Sequence, residues 1–275
     1  MSVPIRRTFT PPPAELRPWV ERFWSWESDC AVPLPLLLPG TGADLFLHYR
    51  TPFLAITPDG TCLRPAAAHL TCLRSHHCRL VAQGPIGFVA VRFRTSAIRH
   101  FGKLGLPDLL DRFPDATEHF GPEAAELPGR LAALPDLSER AAQLARFLLH
   151  QLGRKASTIT LADRATEALY YGEPDLSIAD LADELGYSCR QLERAVGEAT
   201  GLTPKRFHRL TRFHHTVRHL LLARETDYLD AALARGYYDQ AHFIHEFRAL
   251  AGQTPTQLLK PETFMSHFYN PRLPR

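Results

Sequence analysis

No stretch of this 275-residue sequence is apolar for long enough to cross a bilayer as a helix. The longest apolar run, residues 31–38, is short and is interrupted by Pro33 and Pro35. The opening MSVPIRRTFT lacks the apolar core of a secretory signal. A cytoplasmic protein without membrane contact is therefore expected. Cysteine is scarce: five residues, odd in number and irregular in spacing, argue for free thiols rather than a disulfide framework. A surplus of one charge is missing too, because 32 Lys and Arg against 29 Asp and Glu leave a net +3, too little to identify a partner. No Gly-rich phosphate loop or nucleotide motif occurs. No nucleophile, base and orienting group assemble from the pattern, so neither an enzyme nor a cofactor is expected.

What is present describes a folded chain. A hydrophobic share of 45% beside 22% charged residues suits a globular protein, and the length suits two ordinary domains. One stretch repeats. Residues 236–255, GYYDQAHFIHEFRALAGQTP, return in looser form about fifty residues earlier as residues 186–204, GYSCRQLERAVGEATGLTP. Aligned on their glycines, the copies pair Ala182 with Ala232, Tyr187 with Tyr237, Leu192 with Phe243, Val196 with Phe247, Gly201 with Gly252, and Thr203-Pro204 with Thr254-Pro255.

Each copy reads as helix, turn, helix. Ile178, Leu181, Ala182 and Leu185 have the spacing of one buried helix face, and Gly186 ends that helix as a C′ residue. Ser188 and Gln191 form a capping box for the next helix, whose inner face is Leu192, Val196 and Ala199. In the second copy Asp239 is the N-cap and Phe243, Phe247 and Leu250 are the inner face. The second helix of such a unit can enter a DNA major groove. Between the units, Thr203 and Pro204 open one long helix over residues 204–222, about 28 Å at 1.5 Å per residue. From Gly201 to Arg224 there are six basic residues, Lys205, Arg206, Arg209, Arg212, Arg218 and Arg224, and no acidic one. A charge run of this kind is ordinarily a solvated face. Here it joins two candidate DNA readers, so phosphate contact by Ser188, Lys205, Arg206, Arg209 and Arg212 is the better reading.

On these motifs, and most specifically on Gly236, Tyr237, Asp239, Gln240, His242, Phe243, Phe247, Gly252, Thr254 and Pro255, residues 178–260 resemble the paired helix-turn-helix domain of AraC/XylS-type transcriptional regulators. A leading helix near 161–171 extends the likeness to roughly the last hundred residues. The resemblance implies double-stranded DNA as the partner, RNA polymerase as a protein partner, and regulation of transcription as an activator or a repressor. It places base-edge reading on Arg190, Glu193 and Arg194 of the first unit and on Gln240, His242 and His245 of the second; Arg suits guanine and Gln adenine. Two departures stand out. His245 replaces a residue commonly arginine, and Val196-Gly197 replace a common phenylalanine and lysine.

The first half reads as strands at 23–26, 34–38, 44–49, 53–57, 77–82 and 87–93, with Pro58-Asp59-Gly60 as a turn. Helical patterns follow at 95–101, 122–134 and 137–152. The expected fold class is α+β: a β-rich barrel or sandwich with flanking helices over residues 1–153, an all-α domain over 156–262, and a tail over 263–275. The polar break GRKAS, residues 153–157, marks the boundary, and Phe264, Phe268 and Tyr269 of the tail are candidates for docking. The run LPGTGADL at 38–45 and Val91-Arg92-Phe93 resemble the sensor domain of some AraC-type regulators, which implies an unidentified small-molecule effector.

Trp24 and Trp26 read first as core aromatics and second as the wall of an effector pocket. Arg92 reads as an outward-facing arginine, with an anion anchor as the alternative. In the helix after residue 137, Leu144, Leu148 and Leu152, or Ala141, Ala145 and Leu149, make an apolar stripe. It either packs onto the sheet or forms a homodimer seam between Leu137 and Leu152. Cys62, His69, Cys72, His76, His77 and Cys78 crowd one short segment, and Cys72, His76 and Cys78 share strand parity. The alternative function is thus a metal- or redox-responsive sensor, or an enzyme, with its chemistry at Cys62, Cys72 and Cys78. Without a Cys-x-x-Cys or His-x-x-x-His unit there, ordinary buried residues are the expectation. His215 and His219 stand one helical turn apart but lack a third ligand pattern, so no metal is expected there either.

Overall fold

Alternation along the strands divides the N-terminal half into two apolar layers. The computed structural model describes residues 5–153, 159–173, 176–224 and 227–260. Expectations for the tail, and for the break beyond Gly153, lie outside these residues. The strands are β1 (Arg6–Thr10), β2 (Val20–Ser28), β3 (Leu36–Leu37), β4 (Asp44–His48), β5 (Leu54–Ile56), β6 (Cys62–Leu63), β7 (Ala68–Thr71), β8 (Cys78–Val81) and β9 (Ile86–Phe93). They form a five-stranded sheet in the order β1-β2-β9-β4-β7 and a four-stranded sheet in the order β3-β8-β5-β6, with antiparallel pairing throughout. The sheets do not close into a barrel, so of the two expected architectures the unclosed one is found.

In β9, Ile86, Phe88 and Ala90 face the smaller sheet together with Trp24, Trp26 and Phe46. Val89, Val91 and Phe93 face the opposite way, into a core shared with the helices. Both faces of the central strands are therefore buried, which is why these strands read as continuous apolar runs rather than simple alternation.

The helices are α1 (Leu106–Leu109), α2 (Ala116–Phe120), α3 (Leu127–Ala132), α4 (Leu137–Gly153), α5 (Leu161–Tyr171), α6 (Ile178–Leu185), α7 (Cys189–Thr200), α8 (Pro204–Ala223), α9 (Leu229–Leu233), α10 (Gln240–Ala251) and α11 (Pro255–Leu258). Four expectations need correction. Residues 95–101 make only a 3-10 turn, Ala97–His100. Strands β1, β6 and β7 were not expected, and two of them are too short or too polar to show a period. Helix α4 lays Ala141, Leu144, Ala145 and Leu148 against β1, β2 and β9, so its stripe is consumed inside the chain and is not available as a dimer seam. Cys72 and Cys78 lie in different apolar clusters on the two sides of the larger sheet, and among the described residues no group of His, Cys, Asp and Glu could hold a metal ion. The metal and redox reading falls with that separation. Among the described residues no helix is long and apolar enough to cross a membrane.

Candidate nucleic-acid interface

The C-terminal helices start and stop where their caps require. Ser177 caps α6, and Gly186 ends it in the left-handed conformation at φ 76°. Ser188 Oγ accepts from the Gln191 N–H at 3.3 Å while Gln191 Oε1 accepts from the Ser188 N–H at 2.9 Å, closing the capping box of α7. Asp239 accepts from the His242 N–H at 2.7 Å at the start of α10. Thr203 caps α8, with Pro204 in its first turn. Each of these caps contributes about 1 kcal/mol, and each fixes where a helix begins to present its side chains.

Leu192 and Val196 of α7 are fully buried, so Arg190, Glu193 and Arg194 stand exposed on the opposite face. In α10, Phe243, Phe247 and Leu250 are buried and Gln240 and His245 are exposed. His242 is held lower: its Nδ1 accepts from the Tyr238 N–H at 3.3 Å, and its Nε2 lies 3.9 Å from Glu246. Two further residues join this face. Arg248, at i+3 from His245, is exposed, and Tyr238, just ahead of the Asp239 N-cap, is 88% exposed. The i+3 spacing to His245 was the signal for Arg248; nothing in the sequence distinguished Tyr238.

The basic residues of α8 divide into two sets. Lys205 and Arg206 are exposed in its first turn. Arg209 and Arg212 instead converge on the buried carboxylate of Glu246, at 2.9 and 3.1 Å. Arg212 also donates to the Gly236 carbonyl, with its guanidinium carbon 4.4 Å from the Tyr237 ring centre. Tyr237 O–H donates to Glu246 at 2.8 Å. Burial first, and then the neighbouring carboxylate, push the Tyr237 hydroxyl well above its usual range, so it remains a donor. This cluster ties α8 to α10. His214 is buried, and His215 Nε2 lies 2.7 Å from the Tyr170 carbonyl.

Residues 181–261 match the family model described as a helix-turn-helix domain. The C-terminal domain is an AraC-type helix-turn-helix domain. Through this domain the chain is a DNA-binding transcription regulator. No curated protein matches it in sequence. Among solved structures, ToxT from Vibrio cholerae at 1.65 Å resolution has a similar fold, with 11% identity, TM-score 0.53, and 97% of this chain and 99% of that chain covered. ToxT from Vibrio cholerae O395 bound to (E)-4-(8-methylnaphthalen-1-yl)but-3-enoic acid is similar at 11% identity and TM-score 0.50, covering 97% of this chain and all (100%) of that one.

The AraC-type domain is clasped to the N-terminal half through α5. Asp163 lies 2.6 Å from Arg99 and 3.1 Å from His100, and Ser96 donates to it at 3.3 Å. Burial would raise the Asp163 pKa, but the hydrogen bonds from His100, Arg99 and the Thr160 N–H outweigh it and hold the carboxyl well below its usual range. Nearby, Arg94 pairs with Glu167 at 2.9 Å.

Inside the N-terminal half, Trp24 and Trp26 are both buried, and the Trp24 ring meets Phe46 and Phe88 edge-on. Arg92 does not face outward into solvent. Its guanidinium donates to Asp44 at 2.5 Å, and Asp44 also accepts from the Trp24 indole at 3.4 Å. The structure thus brings Trp24 and Arg92 to one carboxylate. Two histidines that sequence reasoning did not connect stack against Phe46: His69 at 5.4 Å and His48 at 6.1 Å between ring centres. Burial holds His48 well below its ordinary pKa and His69 down to about 4. His69 Nδ1 lies 2.8 Å from the Ala66 carbonyl, which leaves Nε2 as the acceptor. That nitrogen and both ring nitrogens of His48 have no hydrogen-bond partner.

Proposed function

We propose that this regulator reads a two-block site in duplex DNA with α7 and α10. Residues 156–262 act as the DNA-binding unit and residues 1–153 as an effector-responsive sensor. The observation that carries this is the pair of capped helices in register, each with its apolar residues buried and its polar face in solvent. Arg190, Glu193, Arg194, Gln240, His242 and His245 read base edges; Ser188, Lys205 and Arg206 contact phosphates. Arg209 and Arg212, held by Glu246, orient α10 and lend their charge to the backbone only in part. Work on DNA places the protein in the cytoplasm. Contact with RNA polymerase rests on the family resemblance, which leaves activation and repression equally open.

The effector reading rests on the interior around Trp24, Trp26, His48 and His69. Arg92 is already balanced by Asp44, while His69 Nε2 is a buried acceptor with no donor. Buried polar groups left unpaired are costly and call for a partner. An apolar, largely aromatic molecule with one hydrogen-bond donor would suit side chains of this chemistry. The similar ToxT structure holds an aryl-substituted butenoic acid, a ligand of that general shape.

Selection of bound duplexes from a random pool by the full chain tests the DNA reading directly. Two informative blocks about one helical turn apart are expected, since α8 spans about 30 Å. Affinity should fall by about tenfold or more between 50 and 200 mM salt if several phosphates are contacted. No enriched sequence at any salt would falsify the proposal.

A further inference from the structure

Three glycine contacts join the N-terminal half to the AraC-type domain. Pro107 of α1 lies against Gly201, where a Cβ would stand 3.4 Å from the proline Cα and Cβ. A Cβ on Gly40 would stand 3.2 Å from Nδ1 of His214, midway along α8. At Gly252 a Cβ would collide with the His77 ring.

Gly201 and Gly252 are the same position of the two repeats. Each follows its reading helix, at φ 72° and 70°, and each precedes the Thr-Pro that opens the next helix. The N-terminal half therefore touches both units at equivalent points.

The touching segments also form one piece. Asp111, shortly after Pro107, accepts from the Ser75 N–H at 2.7 Å and the Ser75 hydroxyl at 2.6 Å. It lies 3.2 Å from His76, the neighbour of His77. Its own N–H donates to the Leu73 carbonyl at 2.9 Å, and its backbone is left-handed at φ 56°. Arg74 exchanges backbone hydrogen bonds with Gly40 at 3.1 and 3.0 Å. All three contacts thus hang on the loop of residues 73–77.

Helix α8 fixes the length between the units, and its Arg209 and Arg212 hold α10 through Glu246, but the chain enters and leaves α8 through left-handed residues, Gly201 and Arg224, so the rotation of the units also depends on contacts from outside the helix. We propose that Pro107, Asp111 and His77 are positioning residues that brace the two helix-turn-helix units at their equivalent glycines and so set the spacing of the DNA blocks the protein accepts. This rests on the two-reader proposal above.

The test uses the full chain, wild type and the variants H77A, D111A and D111N. Each is titrated against duplexes carrying the two selected blocks at the selected spacing, and against duplexes with about one or two base pairs added or removed. The wild type should lose about tenfold or more away from the selected spacing, because joint engagement then fails. H77A and D111A should bind all spacings within about threefold of one another. D111N, which keeps an acceptor and tolerates the left-handed backbone, should retain the preference. Uniform weakening of H77A and D111A with the spacing preference intact overturns the brace, as does no change. If D111A does not fold, H77A decides alone, because the half-buried His77 ring can be removed without opening the core. A wild-type site with one block overturns the two-reader proposal and the brace together, whereas two blocks with variant-independent spacing overturn the brace only.

Discussion

Arg212 of α8 and Glu246 of α10 meet where the connecting helix packs against the second helix-turn-helix unit, with a guanidinium nitrogen 3.1 Å from a carboxylate oxygen that is almost wholly buried. Removing one partner of a buried pair strands the other charge. Glu246→Ala should therefore cost about 3 kcal/mol of unfolding free energy, read from urea titrations of the full chain. Glu246→Gln keeps an acceptor for Tyr237 and should cost less. Equal losses for the two would show that packing rather than charge holds the cluster.

DNA contacts separate by their effect on sequence preference. Arg194→Ala and Gln240→Ala should each relax preference at one or two base pairs, by about 1–3 kcal/mol of discrimination. Lys205→Ala and Arg206→Ala should weaken all duplexes alike and reduce the salt slope by about one each. Titrations against single-base variants of a selected site, at two or more salt concentrations, measure both effects. The same uniform loss for all four variants would contradict the assigned roles.

The buried histidines give the N-terminal half an acid sensitivity. The folded pKa of His69 is pushed down to about 4 by burial, against about 6.5 in an unfolded chain. Between those values the unfolded state binds more protons, so stability rises with pH. It should fall as pH drops below about 6.5 and level off below about 4 as far as this residue is concerned, with a span of roughly 3 kcal/mol for its full shift. His69→Phe should reduce the fall in melting temperature between pH 7 and 5, leaving the part that buried His48 contributes. A variant with the wild-type slope would assign the acid sensitivity elsewhere.

Asp163 gathers Arg99, His100 and Ser96 onto α5. Asp163→Ala removes hydrogen bonds to charged groups and should cost about 2 kcal/mol. The depressed folded pKa makes this stabilisation fully present above about pH 4 and lost as pH falls through the folded value. Comparing wild-type and variant melts at pH 7 and at pH 3 checks it: the difference should shrink at the lower pH.

The C-terminal helices were legible in the sequence because their determinants are local. A cap such as Ser188 and its partner Gln191 are three residues apart, and the apolar faces of α7 and α10 repeat within each helix. The fate of the basic residues was not legible, because Glu246 lies 34 residues from Arg212 in the chain and nothing local marks it as their partner. The same distance effect hid Asp44, 48 residues from Arg92, so the arginine read as solvent-facing. Helix α4 carried a stripe suited equally to a sheet or to a second helix; only the position of the larger sheet decided between them.

With Gly201 and Gly252 aligned, the residue opposite Glu246 is Ala195, so the ion cluster belongs to one copy of the repeat. Charged groups are hydrated less favourably as temperature rises, which lowers the cost of keeping an ion pair dry, whereas apolar burial gains little more. The two copies should therefore part company on heating. The second, pinned through Arg209, Arg212 and Tyr237, holds its shape while the first, which lacks this cluster, loosens, and a warmed protein is left able to read half of its site.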